Sequence, residues 1–160
     1  MRVVMTAAHG GYDSDRVPLG GGAAVCERLR TTWPVTLIGS GPLSDHRLGG
    51  LGDRVPSQLS EFEYARFCRR FEREATELIL GMSPRPVVLS HDISEGPSFT
   101  RLARAGVDCL AILHVDVVDY FQRFYLGDVL PARSWTWLHR STREWLKWPD
   151  LLQLVFEKQL

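Results

Sequence analysis

The chain has 160 residues, and its nineteen basic residues balance nineteen acidic ones. This length suffices for one hydrophobic core without disulfide or metal support, and the neutral balance excludes a protein whose overall charge attracts nucleic acid. Because the three cysteines lie far apart, no apolar run approaches twenty residues and no signal-like N-terminus is present, we expect a cytoplasmic protein with buried, reduced thiols at Cys26, Cys68 and Cys109.

The first strand and helix are predicted within residues 2–29. The continuous apolar run at 2–7 is typical of a parallel strand buried on both faces. A loop of about a dozen residues follows, and three glycines (Gly20, Gly21, Gly22) open a helix predicted over 23–29. Backbone amides at such a helix N-terminus can approach a phosphate. The same glycines are also typical of a turn, and both the dinucleotide-binding and the Walker A spacings are absent.

The middle of the chain is predicted to contain one more strand and the longest helix. Residues 35–38 form the second predicted strand, and the glycine-rich stretch 43–58 is expected to be irregular. Ser60 and Glu63 have capping-box spacing, and an apolar stripe at helical spacing follows, ending before Gly81 (Phe62, Ala65, Phe67, Cys68, Phe71, Ala75, Leu78, Ile79). The arginines of this helix are expected on a solvated face (Arg66, Arg69, Arg70, Arg73).

Strands and helices continue to alternate after this helix. The pattern predicts strands at 87–90 and 109–113, a helix over 98–105 between them, and a short helix at 117–125. Alternation of this kind predicts an α/β fold in which helices cover both faces of a mainly parallel sheet, joined by right-handed connections. We therefore expect one Rossmann-like, three-layer α/β/α domain over 1–160.

The C-terminal region 134–160 is rich in tryptophan. Four of the five tryptophans lie within 134–149, and the segment 134–148 has one apolar and one basic helical face. Such a helix either packs on the protein core or lies on an anionic membrane surface, so peripheral contact with the inner face of a membrane stays open. A further helical pattern runs to Leu160 without a stop signal, which indicates a chain cut within an element.

Three apolar runs end on a histidine: His9, His91 and His114. If the runs are parallel strands, the three imidazoles emerge at one carboxyl edge, where open α/β sheets bind ligands. Asp92 and Asp116 lie close in sequence and can fix a histidine tautomer. Alternatively, an imidazole only caps a strand. His91, Asp92, His114 and Asp116 also offer a metal ligand set, although no metal-binding helix motif supports it.

Five segments in this order resemble the N-terminal half of a family 4-type retaining glycosyltransferase, an enzyme with two Rossmann-like domains facing across a cleft (the GT-B fold). They are Arg-Val-Val-Met-Thr at 2–6, Pro-Leu-Gly-Gly-Gly-Ala-Ala-Val-Cys-Glu-Arg-Leu at 18–29, Pro-Val-Thr-Leu-Ile-Gly at 34–39, Val-Val-Leu-Ser-His-Asp at 87–92 and Ala-Ile-Leu-His-Val-Asp at 111–116.

The resemblance implies a role for each matching residue. His114 matches the catalytic histidine beside the transferred sugar, and Gly21 and Gly22 match the loop near the donor diphosphate. The remaining matches are on the acceptor side (His91, Asp92, Glu95, Asp116), and His9 joins them because of its edge position alone.

The expected partners follow from the same resemblance. They are a nucleotide-sugar donor, a sugar or lipid acceptor, and a C-terminal domain or partner chain that carries the nucleotide pocket; no metal or other cofactor is required, and this chain alone should not turn over. Two other functions stay open: a non-catalytic module that recruits a partner chain or a membrane, and a metal-dependent hydrolase.

Overall fold

In the part of the chain that the structure describes, five parallel strands form one sheet. The computed structural model describes residues 2–13, 21–91 and 95–112. The strands are β1 (Val3–Ala7), β2 (Thr36–Gly39), β3 (His46–Arg47), β4 (Val87–Ser90) and β5 (Cys109–Ala111). The helices are α1 (Gly21–Thr32), α2 (Glu61–Leu80) and α3 (Phe99–Arg104), with one 3₁₀ turn at Pro56–Gln58. The α/β class predicted from the sequence is thus confirmed.

The strand order is β3-β2-β1-β4-β5, and every neighbouring pair is parallel. In the register, Met5 of β1 lies between Leu37 of β2 and Leu89 of β4. After β1, the chain adds β2 and then β3 on one side of β1. Strand β4 then pairs with the other side of β1, and β5 follows next to β4. The order therefore reverses between β1 and β4, and ligands of open α/β sheets bind where such a reversal occurs, at the carboxyl ends of the strands.

The central strand is covered on both faces. Side chains alternate between the two faces of a strand, yet the four consecutive residues Val4 to Ala7 are all buried. On one face, Met5 and Ala7 pack in a cluster with Cys26 of α1 and Leu37 of β2. This burial explains why the sequence of β1 is continuously apolar instead of alternating.

Helix α2 has the capping and the apolar stripe that its sequence predicts. The Glu63 carboxylate accepts a hydrogen bond from the Ser60 backbone N–H at 3.0 Å, and the helix ends just before Gly81. Six stripe residues are buried (Ala65, Phe67, Cys68, Phe71, Ala75, Ile79), and the four arginines are exposed. Leu78 is half-buried, and Phe62 is exposed. It was expected in the stripe, but its position in the first turn leaves 70% of it exposed.

Two local expectations need correction. The stretch 43–58, expected to be irregular, contains the edge strand β3, which pairs with Ile38 and Gly39. Only residues 40–45 join β2 to β3, and the Asp45 carboxylate accepts a hydrogen bond from the Leu37 N–H at 2.7 Å. A two-residue strand is too short to show alternation, so periodicity could not reveal it. Helix α1 also begins earlier than expected, since Gly21 and Gly22 form its first turn.

Several predictions fall outside the described residues, among them the helices at 117–125 and 134–148. The chain divides into two units, Met1–Leu113 and His114–Leu160, and all described residues belong to the first, so the single domain over 1–160 stays a prediction. Cys26 and Cys68 are buried as expected, whereas Cys109 is partly exposed. Within 2–13, 21–91 and 95–112, no helix is long and apolar enough to cross a membrane.

Candidate functional site

Two of the three predicted histidines lie at the reversal point of the sheet. His91 follows β4 directly, and its backbone N–H donates to the Thr6 carbonyl at 2.8 Å, which extends the pairing of β1 with β4 by one residue. Its side chain is buried. His9 is the second residue after β1, where the Gly10 N–H closes a tight turn on the Ala7 carbonyl at 2.8 Å. The side chain of His9 is 43% exposed, so this imidazole is accessible to a ligand.

The buried floor between these strands is polar. The Thr6 hydroxyl of β1 donates to the Ser90 hydroxyl of β4 at 3.0 Å, and both residues are buried. Thr6 is the last residue but one of β1 and Ser90 is the last residue of β4, so this hydrogen bond satisfies both buried hydroxyls, which would cost free energy without a partner. The pair lies beneath the loops that carry His9 and His91.

Helix α2 contributes a residue to this edge that the sequence reasoning missed. The hydroxyl of Tyr64, the fourth residue of α2, lies 3.0 Å from Nε2 of His9, and the two ring centroids are 5.9 Å apart. The Tyr64 ring also contacts Phe67, which in turn contacts Phe71. A buried aromatic row thus anchors Tyr64 while its hydroxyl reaches the sheet edge.

Glu95 completes a three-residue cluster, hereafter the His9–Tyr64–Glu95 cluster. The Tyr64 hydroxyl donates to Oε1 of Glu95, and the same oxygen lies 3.8 Å from Nε2 of His9. The Glu95 side chain is only 12% exposed. One residue of the cluster comes from the loop after β1, one from α2 and one from the loop before α3, so the fold alone brings them together.

Electrostatics keep the central phenol protonated. Burial raises the pKa of Tyr64 well above its ordinary value of 10.0, and the negative charge of Glu95 raises it further. Both effects disfavour a phenolate. Tyr64 therefore keeps its hydroxyl proton, with which it donates to Oε1 of Glu95.

The described loops at this edge carry few cations. After β1, β2 and β4, the described residues are 8–13, 40–45, 91 and 95–98. They include imidazoles, carboxylates and hydroxyls but no arginine or lysine (His9, Tyr12, Asp13, Ser40, Ser44, Asp45, His91, Glu95, Ser98). Arg47, the last residue of β3, places a guanidinium against the loop after β2, since it donates to the Ser40 carbonyl at 3.1 Å. The described part of this edge therefore offers hydroxyls, imidazoles and carboxylates together with one neighbouring cation.

The other predicted site residues divide into two groups. Gly21 and Gly22 lie at the N-terminus of α1, where backbone amides are oriented toward a phosphate in other helices. Asp92, His114 and Asp116 lie outside the described residues, so the catalytic assignment of His114 and the acceptor-side assignments of Asp92 and Asp116 stay predictions. The structure thus links His9 to Glu95 through the Tyr64 hydroxyl and places His91 directly after the adjacent strand β4.

The predicted metal ligand set also stays a prediction, because only His91 of its four members is described. Among residues 2–13, 21–91 and 95–112, no group of three or more histidine, cysteine, aspartate or glutamate side chains could hold a metal ion. The metal-dependent hydrolase stays an untested alternative.

One feature of the sequence could have indicated a special role for Tyr64. It interrupts the apolar α2 segment with the only tyrosine of that helix, and a tyrosine hydroxyl near a core requires a partner. The sequence did not show which partner, because Glu95 is separated from Tyr64 by 31 positions.

No family model matches this chain, and no curated protein or solved structure matches it. The resemblance to a glycosyltransferase therefore stays a prediction based on residue patterns.

Proposed function

We propose that this chain is the acceptor-binding half of a retaining glycosyltransferase with a GT-B fold, which transfers a sugar from a nucleotide-sugar donor to an acceptor hydroxyl. The observation that supports the proposal most is the position of the His9–Tyr64–Glu95 cluster, which lies at the reversal point of a parallel sheet. An accessible imidazole backed by a nearly buried carboxylate is suited to bind and orient a hydroxyl.

The topology supports a Rossmann-like domain within this proposal. The order β3-β2-β1-β4-β5 is that of the first five strands of a doubly wound nucleotide-binding sheet. The connections from β1 to β2 and from β3 to β4 run in opposite directions across the sheet, and the general rule that such connections are right-handed predicts α1 and α2 on opposite faces. The burial of both faces of β1 is consistent with this three-layer arrangement.

The chemistry assigns a task to each part of the edge. The backbone amides at Gly21 and Gly22 interact with the donor diphosphate, on which negative charge accumulates as the glycosidic bond to the donor breaks. His114 lies beside the transferred sugar, as the resemblance implies. The His9–Tyr64–Glu95 cluster orients the acceptor, and the nucleotide pocket belongs to a C-terminal domain or partner chain.

Amide spectra of the ¹⁵N-labelled chain provide the test. A nucleotide diphosphate sugar is expected to shift the Gly21 and Gly22 signals, and a methyl glycoside is expected to shift those of His9 and Glu95. His9→Gln should abolish the glycoside response. His46→Gln serves as the matched control, because His46 lies on the edge strand β3. Glycoside shifts that persist in His9→Gln, or nucleotide sugars that leave the α1 N-terminus unchanged, would contradict the proposal.

A further inference from the structure

Four exposed residues of α2 lie in one row on its surface, hereafter the α2 row (Phe62, Arg66, Arg69, Arg73). They are spaced by four, three and four positions. At 3.6 residues per turn, side chains with this spacing follow one line along a helix, here over about 16 Å. The row therefore presents an aromatic ring and three guanidinium groups to solvent on the same side of the helix.

The α2 row is separate from the His9–Tyr64–Glu95 cluster, although both use α2. Tyr64 follows Phe62 by two positions, which is a rotation of about 200° around the helix axis. The Tyr64 hydroxyl meets His9 and Glu95, so the cluster and the row lie on nearly opposite sides of α2. A ligand of the row does not need to contact the cluster.

Two arginines of the row have charges that no neighbouring carboxylate neutralises by direct contact. Three acids of α2 already have arginine partners outside the row; the pairs are Glu63 with Arg54 at 2.8 Å, Glu74 with Arg70 at 2.6 Å and Glu77 with Arg101 at 2.8 Å. Within 2–13, 21–91 and 95–112, no hydrogen bond or ion pair joins Arg66 or Arg73 to another side chain. Both guanidinium groups can therefore bind an external anion.

Phe62 gives the row an apolar end. It is 70% exposed, the largest exposed fraction of any large hydrophobic residue in the described part of the chain. A phenyl ring in water gains free energy when it enters apolar surroundings. The row thus combines two groups that suit a phosphate with one that suits an apolar layer.

We propose that the α2 row docks this protein on an anionic membrane surface, with Arg66 and Arg73 against the lipid phosphates and the Phe62 ring inserted among the upper parts of the acyl chains. The guanidinium fork matches the geometry of a phosphate, and each basic residue near an anionic bilayer adds to the attraction. The apolar stripe of α2 is buried in the protein, so one ring enters the bilayer instead of a whole helix face.

A bilayer fits the row better than a nucleic acid does. Proteins that bind single strands interleave aromatic rings with cations along a groove, whereas Phe62 stands at the end of the row on the convex surface of a helix. The whole chain has nineteen basic and nineteen acidic residues, so it has no net positive charge to attract a long polyanion. An anionic bilayer places phosphates next to an apolar layer, which matches the order of residues in the row.

The first measurement is cosedimentation of the whole chain with vesicles made of equal parts phosphatidylcholine and phosphatidylglycerol, and separately with vesicles of pure phosphatidylcholine. We expect binding to the anionic vesicles and little binding to the neutral ones. Raising the salt concentration from about 0.1 M to 1 M shortens the screening length from about 10 Å to 3 Å and should release most of the protein.

The arginines are tested by the double variant Arg66→Gln and Arg73→Gln. Its affinity for the anionic vesicles should be weaker by about 25-fold, because each basic residue near the surface contributes about fivefold. The matched control is the double variant Arg2→Gln and Arg28→Gln, which removes the same charge from exposed positions outside α2 and should bind like the wild type.

The ring is tested by Phe62→Ala, which should weaken vesicle binding by about tenfold. Phe62→Leu keeps an apolar side chain and should retain most of the affinity. Trp33→Ala is the control, since Trp33 is also a half-exposed aromatic residue but follows α1. Circular dichroism checks that each variant is folded, which we expect because the replaced side chains are exposed.

Wild-type affinity in the folded Arg66 and Arg73 double variant would overturn the inference, as would equal binding to neutral and anionic vesicles. Binding to poly-uridine RNA without binding to the vesicles would overturn the assignment of a lipid surface. The outcome for the proposed function is separate, because the row contains none of the residues tested there. If the row binds vesicles but nucleotide sugars leave Gly21 and Gly22 unchanged, the transferase proposal fails and membrane docking stands; the opposite pair of results reverses this.

Discussion

Two tyrosines on this protein reach the same part of the fold and do different things there. The Tyr12 hydroxyl lies 2.9 Å from that of Ser40, and the Ser40 hydroxyl donates to the Ala8 carbonyl. All the groups in this chain of hydrogen bonds are neutral and buried. Tyr64 instead bonds a carboxylate and a half-exposed imidazole. The comparison shows that the partner of a tyrosine, and not its position at a sheet edge, separates a structural hydroxyl from one suited to ligand binding.

The surroundings of the two tyrosines reinforce the contrast. Next to Tyr12, the loops after β1 and β2 are joined backbone to backbone, with Gly41 N–H donating to Gly10 at 3.0 Å and Leu43 N–H donating to Gly11 at 2.8 Å. No side chain fits between such close backbones, which leaves no space for a ligand. Tyr64 instead has the nearly buried Glu95 carboxyl and the half-exposed His9 ring beside it, so the cluster is accessible from solvent through His9.

The largest expected effect comes from adding a side chain where the loops after β1 and β2 contact each other. In Gly41→Ala, the new Cβ would lie 2.1 Å from the Gly11 carbonyl oxygen, and because backbone atoms cannot move aside independently, we expect a loss of about 3 kcal/mol or more in the free energy of unfolding. Urea denaturation measures it. Gly52→Ala is the control: φ is +60°, but nothing lies within 4 Å of the added Cβ, so only backbone strain of about 1 kcal/mol is expected. Equal losses would contradict the crowding argument.

The next effect compares the two hydroxyls directly. Tyr64→Phe takes a donor away from the nearly buried Glu95 carboxyl and a hydrogen-bond partner away from His9, which should cost about 2–3 kcal/mol of unfolding free energy. Tyr12→Phe removes one neutral hydrogen bond, while Ser40 retains its bond to Ala8, so about 1 kcal/mol is expected. Urea unfolding of both variants at neutral pH measures the two losses. A larger loss of unfolding free energy in Tyr12→Phe would contradict the stronger stabilisation expected from the Tyr64 hydroxyl.

Alkaline pH should separate the two tyrosines further. Burial raises the pKa of both phenols, and that of Tyr64 most, with Glu95 adding to the shift. A raised folded pKa means that the neutral phenol is favoured in the fold, so this stabilisation is complete below pH 10.0 and declines as the pH rises above it. Urea midpoints of the wild type should therefore fall above that pH. Tyr64→Phe should flatten this dependence more than Tyr12→Phe, and an equal slope in both variants would contradict the assignment.

The smallest effect is expected at acid pH, away from both tyrosines. Hydrogen bonds from Arg54 and Ser60 lower the pKa of the exposed Glu63 carboxyl from 4.5 to about 2. A lowered folded pKa gives stabilisation that is present above pH 4.5 and is lost as the pH falls through about 2. Glu63→Gln should reduce the acid sensitivity of the urea midpoint by a small amount, since the carboxyl is exposed and solvent screens its interactions.

Glu74 offers a comparison for that small effect. Burial by itself raises its pKa, but hydrogen bonds from the Gly49 N–H at 2.8 Å and from Arg70 at 2.6 Å outweigh burial and lower it. A lowered folded pKa gives Glu74 the same sign of pH dependence as Glu63, so Glu74→Gln should also reduce the acid sensitivity of the urea midpoint. An unchanged pH profile in Glu74→Gln would contradict this role of its contact with Gly49.

Much of the fold could be predicted from the sequence because its signals are local. The continuous apolar runs of β1 and β4, the capping box of α2 and the glycine after Leu80 each act within a few residues, and each was found where predicted. Strand β3 was missed because two residues carry no periodicity. Phe62 was misplaced because helical spacing alone does not tell where the buried stripe begins.

The site was predictable only in part, because sequence signals act within a few residues and the site joins residues from distant parts of the chain. Because parallel strands end at a common edge, the sequence predicted that His9 and His91 lie at the same edge of the sheet. It did not predict that His91 is buried while His9 remains half-exposed, and it gave no indication of Tyr64. Helix periodicity alone predicts that a tyrosine beside an apolar stripe is a packing residue. Its hydrogen-bond partner cannot be predicted before the position of the helix in the fold is known.

By itself the sequence determined the parallel α/β class, the extent of α2 and the carboxyl-edge placement of two histidines, because strand burial, capping and connection rules depend on residues that are near one another in the chain. Only the tertiary structure decided which side chains meet. Tyr64 and Glu95 are 31 positions apart, and His9 and Tyr64 are 55. Contacts over such separations depend on how α2 packs beside the sheet, which is decided by burial of the whole apolar stripe and not by any residue in the cluster.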